Sequence, residues 1–156
     1  MPKPVIYADA CRLNRPLDDQ QQPRIKLESE AMLTILQNCE EQKWSLLSSD
    51  ALQFEIARNT DASKQEKLEA MLSLAETYIA STPEIETQAQ ALKSVGFTLY
   101  DALHLAFAQS AAADVFLTTD DRLLKKAKRY NQLITIPVEN PVTWLMNVLL
   151  EKDESK

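Results

Sequence analysis

Apolar residues fall along the chain in short blocks separated by polar turns. Val5-Ile6-Tyr7-Ala8 is a four-residue apolar run closing in Asp9, short enough to read as a buried strand. Residues 15–23, Arg-Pro-Leu-Asp-Asp-Gln-Gln-Gln-Pro, are polar with a proline near each end and read as a loop. Ile25, Met32, Leu36 and Cys39 then recur at helical spacing and predict a helix over 24–42. Residues 44–47 predict a second strand, and Ser49 or Asp50 can cap a helix carrying Phe54, Glu55 and Ile56. Ser63 and Glu66 have capping-box spacing, and Leu68, Met71, Leu72, Ala75 and Ile79 line one face of the helix expected after them. Thr82-Pro83-Glu84 opens a further helix, which should end near Gly96.

Thr98 opens the next helix. Its stretch Ala102, Leu103, Leu105, Ala106, Phe107, Ala108 is apolar nearly all round, which predicts a central buried helix. Val115-Phe116-Leu117 reads as a strand running into Thr118-Thr119-Asp120-Asp121, followed by a basic amphipathic helix to about Tyr130. Residues 133–136 predict a last strand, and Asn140-Pro141 a C-terminal helix burying Trp144, Leu145, Val148 and Leu149. Strands alternating with helices imply a three-layer α/β/α sandwich around a mainly parallel sheet. The expected organisation is one domain over 1–150 with a charged tail at 151–156. The length suits one domain with a real core.

Composition narrows the function. The chain carries 17 Lys+Arg against 23 Asp+Glu, a net charge of −6, which argues against passive coating of nucleic acid by a basic surface. An enzyme whose carboxylates are neutralised by metal ions stays open. A single glycine among 156 residues excludes a glycine-rich phosphate loop. The longest apolar run, 142–150, is interrupted by Asn147 and is well short of the ~20 residues of a membrane span. Met1-Pro-Lys-Pro has no apolar signal core, and Cys11 and Cys39 have neither metal nor redox spacing. A cytoplasmic protein with reduced cysteines and no membrane partner is the expectation.

Four acids stand where parallel α/β folds bind ligands, beyond the carboxyl ends of the strands. Asp9 closes the first strand, and Asp120 follows the 115–119 segment. Glu55 lies on the helix after the second strand, and Asp101 in the first turn of the buried helix. Clustered carboxylates raise one another's pKa, and a hard cation such as Mg²⁺ or Mn²⁺ removes that conflict. Each acid also has a structural reading. Asp101 is three residues after Thr98 and Asp120 stands at a helix start, so both suit caps; Glu55 suits a solvated helix face and Asp9 a turn. His104 reads as a satisfied core histidine, Cys11 and Cys39 as packing residues, and Trp44 and Trp144 as core. Arg122, Lys125, Lys126, Lys128 and Arg129 read as a solvated face ahead of a phosphate contact. Arg12, Asn14 and Arg15, close after Asp9, are the better candidates for substrate contact.

Val-Ile-Tyr-Ala-Asp9, Glu55 after Leu-Leu-Ser-Ser, Tyr-Asp101-Ala-Leu-His-Leu-Ala and Phe-Leu-Thr-Thr-Asp120 together resemble the PIN domain. This is the fold of many metal-dependent ribonucleases, including VapC-like toxins of toxin–antitoxin pairs. The resemblance runs from about Val5 to Leu149 and implies a Mg²⁺- or Mn²⁺-dependent endoribonuclease. It implies Asp9, Glu55, Asp101 and Asp120 as catalytic, metal-binding acids, with Thr118 as the hydroxyl residue of the last motif. It also implies an RNA substrate, an antitoxin partner and a homodimer. Many members carry a hydroxyl pair after the first acid, where this chain has Ala10-Cys11. That departure motivates the alternative, a catalytically inactive PIN-like protein-interaction module. An aspartyl phosphatase would want a second Asp at position 11, and a phosphate-accepting receiver would want paired acids after the first strand. Neither pattern is present.

Overall fold

A computed structural model describes residues 3–9 and 21–154 of the protein. Among them are five strands and seven helices. The strands are β1 Val5–Ala8, β2 Ser45–Ser49, β3 Thr77–Ile79, β4 Val115–Leu117 and β5 Val138–Glu139. The helices are α1 Pro23–Glu40, α2 Asp50–Ala57, α3 Ala62–Leu72, α4 Pro83–Ser94, α5 Leu99–Ser110, α6 Asp121–Arg129 and α7 Pro141–Glu154.

The strands form one all-parallel sheet in the order β3-β2-β1-β4-β5, within a three-layer α/β/α fold. Helices cover both faces of such a sheet, so its middle strands are apolar on both sides. Accordingly Ile6, Tyr7 and Ala8 of β1 and all of β4 are fully buried. Their register pairs Ile6 with Val115, Tyr7 with Phe116 and Ala8 with Leu117. The chain runs outward from β1 to β2 and β3, then returns to β4 on the other side of β1. The strand order therefore reverses between β1 and β4, and a crevice opens beyond their carboxyl ends. Asp9 and Thr118 are the next residues on those two strands.

Local chemistry sets the helix starts. Ser49 accepts a hydrogen bond from Leu52 N at 3.2 Å, and Thr82 one from Ile85 N at 3.2 Å. Asn140 Oδ1 accepts from Val142 N at 2.8 Å, with Pro141 opening α7. Gly96 follows α4 with φ +111, a backbone state that a side chain disfavours. The buried helix is α5, with Ala102, Leu105, Ala106, Phe107 and Ala108 inside; α4 and α2 pack against it, and α1 packs against α7. Trp44 and Trp144 meet edge to face at 5.0 Å, joining the start of β2 to α7. Cys39 is buried, and desolvation pushes its thiol up to about 11.

Three expectations are corrected. Asp61, and not a Ser63–Glu66 box, caps α3: its carboxylate accepts from Ser63 N and Lys64 N. The helical face drawn through Ala75 and Ile79 stops at Leu72, and Ile79 belongs to β3. No glycine or proline marks that stop; the Glu76 N–H instead donates to Leu46 O at 3.1 Å, and the chain joins β2 as an edge strand. The last strand is Val138–Glu139, not 133–136. Thr135 N is satisfied by Gln109 Oε1 at 2.6 Å, and pairing with β4 begins only where Phe116 N donates to Pro137 O.

Candidate functional site at the sheet crevice

Asp9, Glu55, Asp101 and Asp120 line one cleft of about 470 Å³, with Arg58, Thr98, Tyr100 and His104. Four separate segments supply the acids. Asp9 directly follows β1 and is 4% exposed. Glu55 projects from the second turn of α2, Asp101 from the first turn of α5, and Asp120 from the residue that caps α6.

The structural and chemical readings of these acids coexist. Asp120 Oδ1 accepts from Arg122 N at 2.9 Å and Leu123 N at 3.3 Å, so it caps α6 while lining the cleft. Asp120 N in turn donates to Thr118 Oγ1 at 3.1 Å. Thr118 is fully buried and supports the turn that carries Asp120. Asp101 N donates to Thr98 Oγ1 at 3.2 Å, forming one arm of the expected box. Both aspartates stand at helix N-termini, where the dipole favours negative charge.

Glu55 is not a solvated face residue. Its Oε1 accepts from His104 Nε2 at 2.6 Å, and its side chain is largely covered. His104 is buried and satisfied at both nitrogens, as a core histidine should be; Nδ1 meets Tyr7 Oη at 2.6 Å. Tyr7 Oη also meets Ser49 Oγ at 2.8 Å. Burial, above all, holds the Tyr7 phenol well above its usual range, and the charges of Asp9 and Glu55 add to this.

Arg58 belongs to none of the sequence motifs, and Tyr100 stands in one only as the residue before Asp101. Among the described residues, Arg58 is the one Lys or Arg lining the cleft. It stands three residues after Glu55 at the end of α2, donates Nη1 to Tyr100 Oη at 2.6 Å and lies over the Phe54 ring at 5.6 Å. The spacing from Glu55 was a legible signal; the cation–aromatic contact was not. The basic residues of α6 behave as expected of a helix face. Lys126 Nζ is bound to Gly96 O at 2.6 Å and Arg129 lies over Tyr130, while Arg122 and Lys125 are exposed. Arg12, Asn14, Arg15 and Cys11 lie outside the described residues.

The donor set suits a hard divalent cation, since it offers carboxylate oxygens in a polar crevice. Among the described residues, no three carboxylate, imidazole or thiolate groups converge tightly enough to hold one ion together. The arrangement fits an ion that takes one or two carboxylates and keeps several waters, which is the habit of Mg²⁺. It does not fit an all-protein cage.

Among the described residues, no helix is long and apolar enough to cross a membrane. No curated protein matches the chain. Solved structures resemble it in fold. A chain of VapBC2 from Rickettsia felis, solved bound to a DNA fragment from its promoter, is 13% identical with a TM-score of 0.54. The match covers 87% of this chain and 98% of that one. PAE2754 from Pyrobaculum aerophilum is 17% identical with a TM-score of 0.53, covering 94% of this chain and 96% of that one. The PIN domain model matches residues 27–129, a stretch that contains Glu55, Asp101 and Asp120 and begins after Asp9. With two thirds of its length matched by that model and its acids gathered at the sheet's switch point, the chain belongs to the PIN domain family.

Proposed function

We propose that the protein is a Mg²⁺- or Mn²⁺-dependent endoribonuclease, cytoplasmic and acting as the toxin of a toxin–antitoxin pair. The observation that carries this reading is the convergence of Asp9, Glu55, Asp101 and Asp120 on one cleft from four distant segments. Membership of the PIN family and the fold shared with a VapBC2 chain support it. An antitoxin and a second copy of this chain are the partners that follow from it. The domain would span 1–150.

Asp9, Asp101, Asp120 and Glu55 would share the ion, one or two of the aspartates binding it directly and the others through its waters, with Glu55 as a further ligand or as the residue that orients water. When bound, the ion supplies positive charge that acidifies water and stabilises the leaving oxygen of the phosphodiester. Asp101 and Asp120 stand at helix N-termini, where the backbone dipole favours negative charge. Glu55 is held in one orientation by His104, so an unpinned oxygen remains for work in the cleft. Arg58 offers the cleft a guanidinium for the phosphate of a neighbouring nucleotide, and the Tyr100 hydroxyl fixes its direction. With a net charge of −6, attraction of RNA depends on such local cations and on the bound ion. Arg12, Asn14 and Arg15 follow Asp9 closely in sequence and are proposed to grip the strand.

The test incubates purified protein with single-stranded RNA, with Mg²⁺, Mn²⁺ or chelator, beside Asp101→Asn. Metal-dependent cleavage lost in the variant is the expected result. A folded wild type that cleaves with neither ion would shift the reading to an inactive PIN-like interaction module. Equal cleavage by variant and wild type would refute the assignment of the acids.

A further inference from the structure

Behind the cleft runs an unbroken hydrogen-bond chain, Ser49–Tyr7–His104–Glu55, with contacts of 2.8, 2.6 and 2.6 Å. Ser49, Tyr7 and His104 are at most 2% exposed, and the chain meets the cleft at its His104–Glu55 end. We propose that Tyr7 is a positioning residue that selects the Nε2–H tautomer of His104 and through it fixes Glu55 in the cleft. This inference rests on the reading of Glu55 as a working acid.

The direction of the chain follows from counting donors. A carboxylate only accepts, so His104 Nε2 must carry a hydrogen for Glu55 Oε1. In a neutral imidazole Nδ1 then has only a lone pair and needs a donor. The Tyr7 hydroxyl, 2.6 Å from Nδ1, is that donor, since a phenol carries its hydrogen near neutral pH. Tyr7 Oη in turn accepts from Ser49, whose Oγ already accepts the Leu52 N–H as the cap of α2. Every member is satisfied and every hydrogen points towards Glu55. The opposite direction would have Tyr7 donate to Ser49. Ser49 is fully buried, and its own hydrogen would then have no acceptor among the described residues. The backbone cap at the start of α2 thus decides the tautomer of a histidine on α5. Such outer hydrogen bonds are what hold ligating groups in orientation.

The experiment exploits the single histidine of the chain. In untagged, ¹⁵N-labelled protein the imidazole region of the NMR spectrum reports His104 alone. Expected is one species, protonated at Nε2 and bare at Nδ1. A hydrogen on Nδ1, alone or with one on Nε2, would overturn the proposal. Tyr7→Phe removes the donor but keeps the ring that stacks on Phe116 at 5.5 Å. It should leave a mixture of tautomers and weaken Mn²⁺ binding, measured by calorimetry, by roughly 10–100-fold. Adding His104→Gln should recover most of that loss, because an amide offers Glu55 an N–H that cannot migrate. Tyr7→Phe binding Mn²⁺ like wild type would overturn the proposal, as would Tyr7→Phe/His104→Gln binding no better than Tyr7→Phe. A wild type showing the Nε2–H species yet binding no Mn²⁺ would sink the metal reading while upholding the tautomer lock.

Discussion

Replacing Arg24 with alanine tests what ties α1 to the turn that carries Asp120. The guanidinium donates to both oxygens of Asp121, at 2.8 and 2.9 Å, and to the Thr119 carbonyl at 3.1 Å. Its Nε donates to Glu28 Oε2 at 3.2 Å. The two carboxylates are unequal in consequence. Asp121 is open to water, which screens its pairing with Arg24 and leaves that bond a minor contribution. Glu28 is 1% exposed, and a buried carboxylate that loses a cationic partner keeps its desolvation cost. Breaking a fully buried pair costs about 3–5 kcal/mol. The figure here should be lower, because Arg24 is itself 53% exposed and Asn140 Nδ2 still donates to Glu28 Oε2 at 2.8 Å. We expect Arg24→Ala to lose about 2–3 kcal/mol, nearly all of it through Glu28. That corresponds to a fall in Tm of roughly 4–12 °C for a chain of this size. Urea denaturation of Arg24→Ala, Glu28→Gln, Asp121→Asn and the Arg24→Ala double variants reads the couplings. The cost of Arg24→Ala should shrink to less than half in the Glu28→Gln background. If it is unchanged there, or if Asp121→Asn alone costs as much, the reasoning fails.

Three further outcomes follow from the structure. Asp120→Asn should separate fold from function: asparagine caps a helix about as well as aspartate, so stability should move by less than about 1 kcal/mol while RNA cleavage falls at least ~100-fold. Arg58→Ala should raise KM for RNA and weaken its salt dependence with little change in kcat, whereas an equal fall in kcat and kcat/KM would place Arg58 in the transition state instead. Asp50 accepts from the Tyr78 hydroxyl and from Ser81 N, bonds that hold its carboxyl below the usual range and push Tyr78 up to about 12. The folded state therefore releases the Asp50 proton more readily than the unfolded chain. The stability from these bonds is present above the unfolded value near ~4 and is lost as pH falls through the lower folded value. Asp50→Asn should flatten that acid limb and bring one tyrosine of the ultraviolet titration down towards ~10.

The acids at strand ends were the most legible part of the site. An apolar run that stops in Asp9, or in Thr-Thr-Asp120, marks the carboxyl edge of a parallel sheet without further knowledge. Glu55 and Asp101 were legible as residue types on helices. Which way they faced depended on how α2 and α5 pack, and that packing turned Glu55 from the expected solvated face towards His104. β3 was hidden because Leu68, Met71, Leu72 and Ala75 continue a helical period right up to the strand. A three-residue edge strand has too few positions to show a period of its own. Its identity comes from the free edge of β2, which is a long-range fact.

The sequence by itself determined the alternation of strands and helices, most helix starts, the buried α5 and the order in which the four acids are met. All of these rest on chemistry acting over a few residues: capping hydrogen bonds, fixed proline geometry and apolar period. Only the tertiary structure decided that β1 and β4 are neighbours, that the acids line one cleft, that Arg58 joins them and that a buried chain of hydroxyls and imidazole stands behind Glu55. Those relations join residues tens of positions apart. They are set by which faces can be buried together, and no local pattern encodes that.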